Sequence, residues 1–358
     1  MALDGFIEKI YRRYMVWKCR PSRVAAHLDK SLPGERKVPL QDGRRKIRVA
    51  ALQLKLKLLK SPLHFADEMH RQVRKAVDRQ ARLAVFPEYN SLPLLGMLPG
   101  FEKIEEGYRK KAAGSPNNGS KKGSEDENSL VDVFKYMSPA VQPLVDITFS
   151  RLAKAYGIYI MAGSYPLAYN GGLFNRSFLY GPGGQLIGSQ DKVHLFIDEA
   201  KWDLKRGSSF SIYETAIGNL ALPVCMDATY FETFRILEHK GAEIALLPIA
   251  DMQEYNYWLA LRGIWPRVQE SLLYGVKGAL VGTLAGLVFS GRAGIFAPLE
   301  LTPQQDGVLA EVNTDSDEAI TVAELDLDAL QELRQNHPWR DTNQALYSRY
   351  FPALYRQD

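Results

Sequence analysis

From residue 47 almost to the end of the chain, short apolar runs alternate with longer stretches whose apolar residues recur every three or four positions. The run at 47–52 (IRVAAL) predicts a buried strand, and 83–86 (LAVF), 158–162 (IYIMA), 220–224 (LALPV), 244–248 (IALLP) and 279–281 predict others. Phe65, Met69, Val73, Ala76 and Val77 fall at helical intervals and predict an amphipathic helix over 63–82. A second helix is predicted over 144–156. Gly-Pro-Gly-Gly at 181–184, between apolar runs at 175–180 and 186–187, is a hairpin turn signal. Strands alternating with helices predict an α/β protein with helices covering a sheet.

Three segments depart from this rhythm. In the first seventeen residues Leu3, Phe6, Ile7, Ile10, Tyr14 and Trp17 form a helical apolar stripe, with Lys9, Arg12 and Arg13 between them and Lys18 just beyond. Pro33, Gly34, Pro39 and Gly43 read as a linker, so 1–46 is expected to be a basic amphipathic extension. It is expected to dock on its own body or on a second subunit, with an anionic membrane surface as the alternative. Residues 105–130 are rich in Gly, Ser and Asn and nearly lack large apolar side chains, which predicts a mobile surface insertion in a domain spanning 47–335. Residues 336–358 read as a C-terminal tail.

Composition narrows the class. At 358 residues and 46% hydrophobic, the chain can bury a substantial core. The net charge of +4 conceals an asymmetry: residues 1–48 hold thirteen Lys and Arg against five Asp and Glu. No nucleic-acid-binding motif or aromatic platform accompanies that basic segment, so no nucleic-acid partner is expected. Two cysteines, Cys19 and Cys225, exclude a disulfide scaffold and fit a reducing cytoplasm. The six histidines show no metal-ligand spacing, and no G-x-S-x-G elbow, phosphate loop or H-E-x-x-H helix occurs. Neither a metal nor an organic cofactor is expected.

What remains is one polar residue just beyond each of three apolar runs: Glu88 after LAVFP, Lys192 after QLIGSQD, and Cys225 after LALPV. In open α/β sheets functional groups gather outside the carboxyl ends of the strands, so these three are candidates for one site. A thiol attacks as thiolate and needs a base or a cation beside it. A carboxylate can take its proton, and an ammonium can stabilise the oxyanion that follows. A cysteine–histidine pair is the competing arrangement. His194, two residues from Lys192, shares its face if that segment is extended.

Several blocks carry a resemblance in order: IRVAALQ (47–53), VFPE (85–88), FNRSFLYGPGGQLIGSQDKVHL (174–195), LPVCMDATYFETFR (222–235), GAEIALLP (241–248) and PRVQES (266–271). On these the chain resembles the carbon–nitrogen hydrolase (nitrilase) superfamily. The resemblance implies a four-layer αββα sandwich with two mainly six-stranded sheets. It implies Glu88 as base, Lys192 as oxyanion stabiliser and Cys225 as nucleophile. Glu199 matches a second, supporting glutamate, with Asp198 beside it, and the Met226 backbone N–H an oxyanion donor. His194, Asp227 and Arg235 are candidates for the surrounding shell, the last two as an ion pair near the nucleophile's turn.

The implied reaction is hydrolysis of an amide or N-carbamoyl substrate through a cysteine thioester. Nitrilases typically carry Cys-Trp-Glu, and Cys225-Met226-Asp227 here favours amides over nitriles. Nitrile hydrolysis, acyl transfer from the same thioester, and a non-catalytic binding homologue stay open. A homodimer or larger homo-oligomer is the expected assembly.

Overall fold

The computed structural model describes residues 5–34, 45–103, 105–107, 124–338 and 343–355. Its centre is β1 (Lys46–Lys55), which runs parallel to β2 (Leu83–Val85). Beyond β2 lie β3 (Tyr159–Tyr169), β4 (Gly172–Tyr180) and β5 (Leu186–Asp191), the last two joined by the expected hairpin at 181–184. The other edge of β1 pairs antiparallel with β13 (Ala319–Asp326). A second group orders β6 (Ile212–Thr215), β7 (Gly218–Ala221), β8 (Ile244–Ile249), β9 (Tyr274–Leu284), β11 (Gly294–Phe296) and β12 (Val308–Glu311). The short β10 (Leu287–Phe289) folds back on the end of β9. Among the described residues the groups join only where Gln53, Leu54 and Lys55 pair with Ala279, Leu280 and Val281. Among the described residues the strands therefore form two six-stranded sheets hinged along β1 and β9.

Period-two alternation then sorts side chains into three cores. Val49, Ala51, Leu83 and Val85 face Leu220, Ile244, Leu246 and Val276 between the sheets. Their neighbours Ala50, Leu52, Ala84 and Phe86 point outward, toward α3 (Pro62–Asp78) and α4 (Ser124–Tyr156). On the far side Ala221, Ala245 and Leu247 meet Phe234 and Leu237 of α5 (Phe231–His239) and Val268 of α6 (Ile264–Ser271). The result is the expected αββα sandwich. Strands buried on both faces read as continuous apolar runs, which is why 47–52 and 244–248 were conspicuous in the sequence.

Local chemistry sets the element ends. The Ser61 hydroxyl caps α3 by accepting the His64 N–H at 3.1 Å, with Pro62 in the first turn. That helix stops at Asp78, four residues before the expected end, because Gln80 adopts φ 64°. Expected at 144, α4 begins at Ser124 and carries Pro139 and Pro143 internally. Polar first turns and two prolines erase the apolar period that would have announced it. Residues 124–130 of the expected insertion are therefore helical, while 104 and 108–123 lie outside the described residues.

The N-terminal segment also differs from expectation. It forms two helices, α1 (Gly5–Lys18) and α2 (Pro21–Leu28). Tyr14 and Trp17, expected on the inward stripe, are 44% and 48% exposed, whereas Met15, Cys19, Val24 and Leu28 are buried with α3 and α4 side chains. The body turns the helix by its own packing, since α4 offers a groove that α1 and α2 fill together. Leu3 and the expected linker at 35–44 lie outside the described residues. In the expected tail, Gln344–Leu354 forms α8, after α7 (Leu327–Asn336). Its Phe351 ring lies 6.4 Å from Phe231 of α5. Among the described residues no helix is long and apolar enough to cross a membrane.

If α2 is part of the core, Leu28→Ala should lower the unfolding free energy by about 2–5 kcal/mol in urea titrations. Tyr14→Ala should change it by less than about 0.5 kcal/mol, reversing the order that the sequence stripe predicts.

Candidate active site

The nucleophile candidate sits on a tight backbone turn. After extended Val224, Cys225 takes φ 44°, a left-handed conformation that few side-chain-bearing residues adopt, and opens the 3₁₀ turn Cys225–Thr229. Asp227 holds that turn. Its Oδ2 accepts the Val224 N–H at 2.9 Å, and its Oδ1 accepts the His194 N–H at 2.7 Å. The His194 ring lies 3.0 Å from the same oxygen through Nδ1 and stacks on Tyr230 with centroids 4.3 Å apart. Asp227 and His194 thus tie the Cys225 turn to the Lys192 segment. The Met226 N–H stands at the start of the turn, ahead of the residues whose N–H groups it bonds internally.

Glu88 follows β2 through Phe86 and Pro87. The chain here lies against β3 so closely that a Cβ on Gly163 (φ 83°) would stand 2.1 Å from the Pro87 carbonyl oxygen. Glu88 is buried, and its Oε1 accepts from Lys192 Nζ at 2.8 Å and from Asn175 Nδ2 at 2.8 Å. Its Oε2 accepts the Ala250 N–H at 2.9 Å, and the Cys225 thiol lies close enough to the same carboxylate for the two to influence each other's ionisation. Lys192 Nζ also lies 2.7 Å from Glu199 Oε2. Glu199 accepts in addition from the Phe196 N–H at 2.8 Å, from Asn175 at 3.3 Å and from the Tyr89 hydroxyl.

Glu88, Lys192 and Glu199 are each at most 2% exposed, while Cys225 keeps solvent access. Burial pushes the Glu88 carboxyl above its ordinary range, with Glu199 adding to the rise and Lys192 opposing it. Burial alone would lower Lys192, but Glu88 and Glu199 together hold it above its usual value, so it remains an ammonium. The Cys225 thiol is pushed well up, first by desolvation and then by the Glu88 carboxylate. The resting site therefore holds a neutral thiol beside a carboxyl group whose proton affinity is raised, with a fixed cation behind it. A hydroxyl-free thiol, a base and a positive charge in mutual reach are the parts that covalent acyl chemistry uses.

The structure thus brings together Glu88, Lys192, Cys225 and Glu199, with His194 and Asp227 just behind Cys225. Arg235 is a correction. It is exposed and pairs with Glu238 one turn along α5 at 2.8 Å, because its position faces outward, and it makes no ion pair with Asp227. Asp198 stands on the same helical turn as Glu199, where it lies 3.2 Å from Lys201. Sequence reading passed over Tyr89, Asn175 and the Ala250 N–H. Asn175 stood inside the FNRS block, so a signal existed. Tyr89 was concealed because its φ of 53° turns the side chain toward Glu199, which no pattern encodes. Among the described residues, no group of three or more His, Cys, Asp or Glu side chains is placed to hold a metal ion.

The carbon–nitrogen hydrolase family profile matches residues 48–335. The chain belongs to that family. Among its relatives, the probable hydrolase YhcX of Bacillus subtilis is 26% identical over 295 residues, or 81% of this chain. The match spans 52% of YhcX, so the chain spans about half the length of that relative. The omega-amidase NIT2 of Homo sapiens is 28% identical over 212 residues, covering 56% of this chain and 73% of that protein. The amidase from Nesterenkonia sp. AN1, solved in complex with acrylamide, superposes with a TM-score of 0.59 at 18% identity. That match covers 87% of this family member and all of the amidase chain, and it shows the shared fold.

A neutral resting thiol has a spectroscopic consequence. The thiolate absorbance near 240 nm that is lost in Cys225→Ala should show no step below about pH 9, the ordinary cysteine value. A step near neutrality would mean that Lys192, rather than Glu88 and burial, controls the thiol.

Proposed function

We propose that this carbon–nitrogen hydrolase cleaves the C–N bond of a small non-peptide amide or N-carbamoyl compound through a thioester on Cys225. The observation that carries the reading is the buried Glu88 carboxylate, which accepts from the Lys192 ammonium at 2.8 Å and lies beside the Cys225 thiol. Omega-amidase NIT2 and the Nesterenkonia amidase, whose active site cysteine takes up acrylamide in one structure, support the choice of amides.

In the first step Glu88 accepts the Cys225 proton as Sγ attacks the carbonyl carbon, and the C=O pair moves to oxygen. Lys192 Nζ and the Met226 N–H stabilise that oxyanion. Collapse expels the amine or ammonia, which takes the proton back from Glu88, and leaves the thioester. Glu88 then takes a proton from water, whose oxygen attacks the thioester, and on collapse the thiolate recovers that proton as the carboxylic acid leaves. Asn175 touches Glu88 and Glu199 touches Lys192, fixing their positions, and the Tyr89 hydroxyl in turn holds Glu199.

Intact-mass analysis during turnover on a panel of amides, N-carbamoyl compounds and nitriles tests the reading. An acyl adduct present in the wild type and absent from Cys225→Ala supports it. No adduct and no turnover across the panel sinks it, and amine-dependent product without acid would replace hydrolysis by acyl transfer. Glu88→Gln should reduce kcat by about 10²–10⁴-fold, the usual contribution of a general base.

The pH dependence has a definite sign. Glu88 works as a base only when ionised, and its pKa is raised in the folded site. Wild-type kcat/KM should therefore fall with decreasing pH along a limb well above 4.5, the ordinary glutamate value. A limb near 4.5 would assign the base elsewhere.

A cytoplasmic homo-oligomer is part of the same proposal. Phe231 and Ile236 on α5 and Tyr347, Tyr350 and Leu354 on α8 leave a band of large apolar side chains exposed on one side of the sandwich. Native mass spectrometry should find a dimer or larger species, and Tyr350→Glu with Leu354→Glu should shift it toward monomer.

A further inference from the structure

A cavity of about 710 Å³ opens on the outer face of the first sheet, between the start of α2, the middle of α4 and the β4–β5 hairpin. It shares no lining residue with the Glu88, Lys192 and Cys225 cluster. Its volume falls within the range of small-molecule pockets. Pro21, which closes one side, precedes the part of the chain that matches the family profile. The start of α2 therefore forms one wall of the site.

The chemistry of the walls is one-sided. Pro139, Pro143, Ile147 and Leu186 present hydrocarbon, and Asp146 is the one charged residue that lines the cavity. Asp146 sits half-buried and takes a single hydrogen bond from the described residues, from the Tyr180 hydroxyl to Oδ1. The Ser138 hydroxyl already accepts the Ala168 N–H at 2.8 Å, and the Ser150 hydroxyl donates to the Gly184 carbonyl at 2.6 Å. Pro143 has no N–H, so the carbonyl of Pro139 loses its helical donor on the same helix face. Arg151, next to the lining residue Ser150, points away to Asp29 at 3.3 Å. Gln142, one turn before Asp146, adds an uncharged amide to the rim, so the cavity offers an anion and a second acceptor among largely apolar walls, with no lining cation among the described residues.

We propose that this cavity binds a small organic ammonium ion. The N–H donors of the ligand meet Asp146 and the Pro139 carbonyl, and its apolar body lies against the prolines and Ile147. A half-buried carboxylate without a cationic partner is disfavoured, and burial raises the Asp146 pKa. An ammonium ion supplies the missing charge and a hydrocarbon surface for the walls at once. This inference does not depend on the proposed reaction.

Calorimetric titration of the full chain with benzylamine, benzyl alcohol and benzoate tests it. Benzylammonium should bind saturably at one site, and the neutral and anionic analogues should neither bind nor compete. Asp146→Asn, which keeps an acceptor for Tyr180, should weaken benzylammonium about tenfold or more. Leu186→Trp, at an exposed position on the rim, should block the site without touching the carboxylate and serves if Asp146→Asn fails to fold. Absence of saturable binding to the wild type overturns the proposal. Equal affinity of the wild type and either folded variant also overturns it, as does binding of the three ligands alike.

Discussion

A lysine ammonium held between two buried carboxylates is the constraint around which the molecule is arranged. Lys192 lies 2.8 Å from Glu88 and 2.7 Å from Glu199, and all three are almost entirely withdrawn from solvent. Removing charges from water costs several kcal/mol per ion even after relaxation, and pairing offsets that only when the remaining lone pairs are satisfied. Here they are. Asn175 bridges the two carboxylates, the Ala250 and Phe196 N–H groups each take one oxygen, and the Tyr89 hydroxyl takes another. Burial, with the Glu88 carboxylate beside it, pushes the Cys225 thiol toward its neutral form.

Such a cluster needs donors from distant parts of the chain in one place. The αββα sandwich supplies them because β2 and β8, which belong to different sheets, end on the same side. Glu88 follows β2, Ala250 follows β8, Cys225 lies just past β7, and Lys192 directly follows β5. Close backbone contacts hold the ends in register, and Gly163 shows how close. With a Cβ there, β3 would collide with the Pro87 carbonyl and displace the loop that carries Glu88. The strained Cys225 turn is likewise held by its surroundings, because Asp227 within it accepts the backbone N–H of His194 from the Lys192 segment. Strain of this sort persists where the surroundings over-determine the backbone.

The segments around the catalytic body follow a looser logic. Helices α1 and α2 cover α4 with a face set by packing, and Pro21 of α2 closes one side of a cavity whose one charged lining residue, among the described residues, is Asp146. The exposed aromatic side chains of α5 and α8 lie on a different side of the sandwich. The molecule therefore presents three chemically distinct surfaces: an anionic thiol site, an acidic apolar cavity and an aromatic band.

Much of this was legible in the sequence. Strands buried on both faces must be apolar at every position, so β1, β2 and β8 could be read directly, and polar residues after the runs that became β2, β5 and β7 marked Glu88, Lys192 and Cys225. The αββα class followed from the order of the motif blocks. Other features left no periodic trace. The early start of α4 was hidden by Pro139, Pro143 and a polar first turn, and β9 was foreshortened because it buries Gly275, Lys277 and Gly278 among its apolar residues. Arg235 was assigned to Asp227 by proximity along the chain, whereas the helix turned it outward to Glu238. Tyr89 and Ala250 serve the site through a backbone dihedral and a main-chain N–H, neither of which residue type reports. The sequence by itself determined which residues are candidates for reactive chemistry and which runs are buried, because those depend on side-chain type and local period. Only the tertiary structure decided which face of α1 is covered and which donors satisfy the buried charges, because those depend on contacts between segments far apart in the chain.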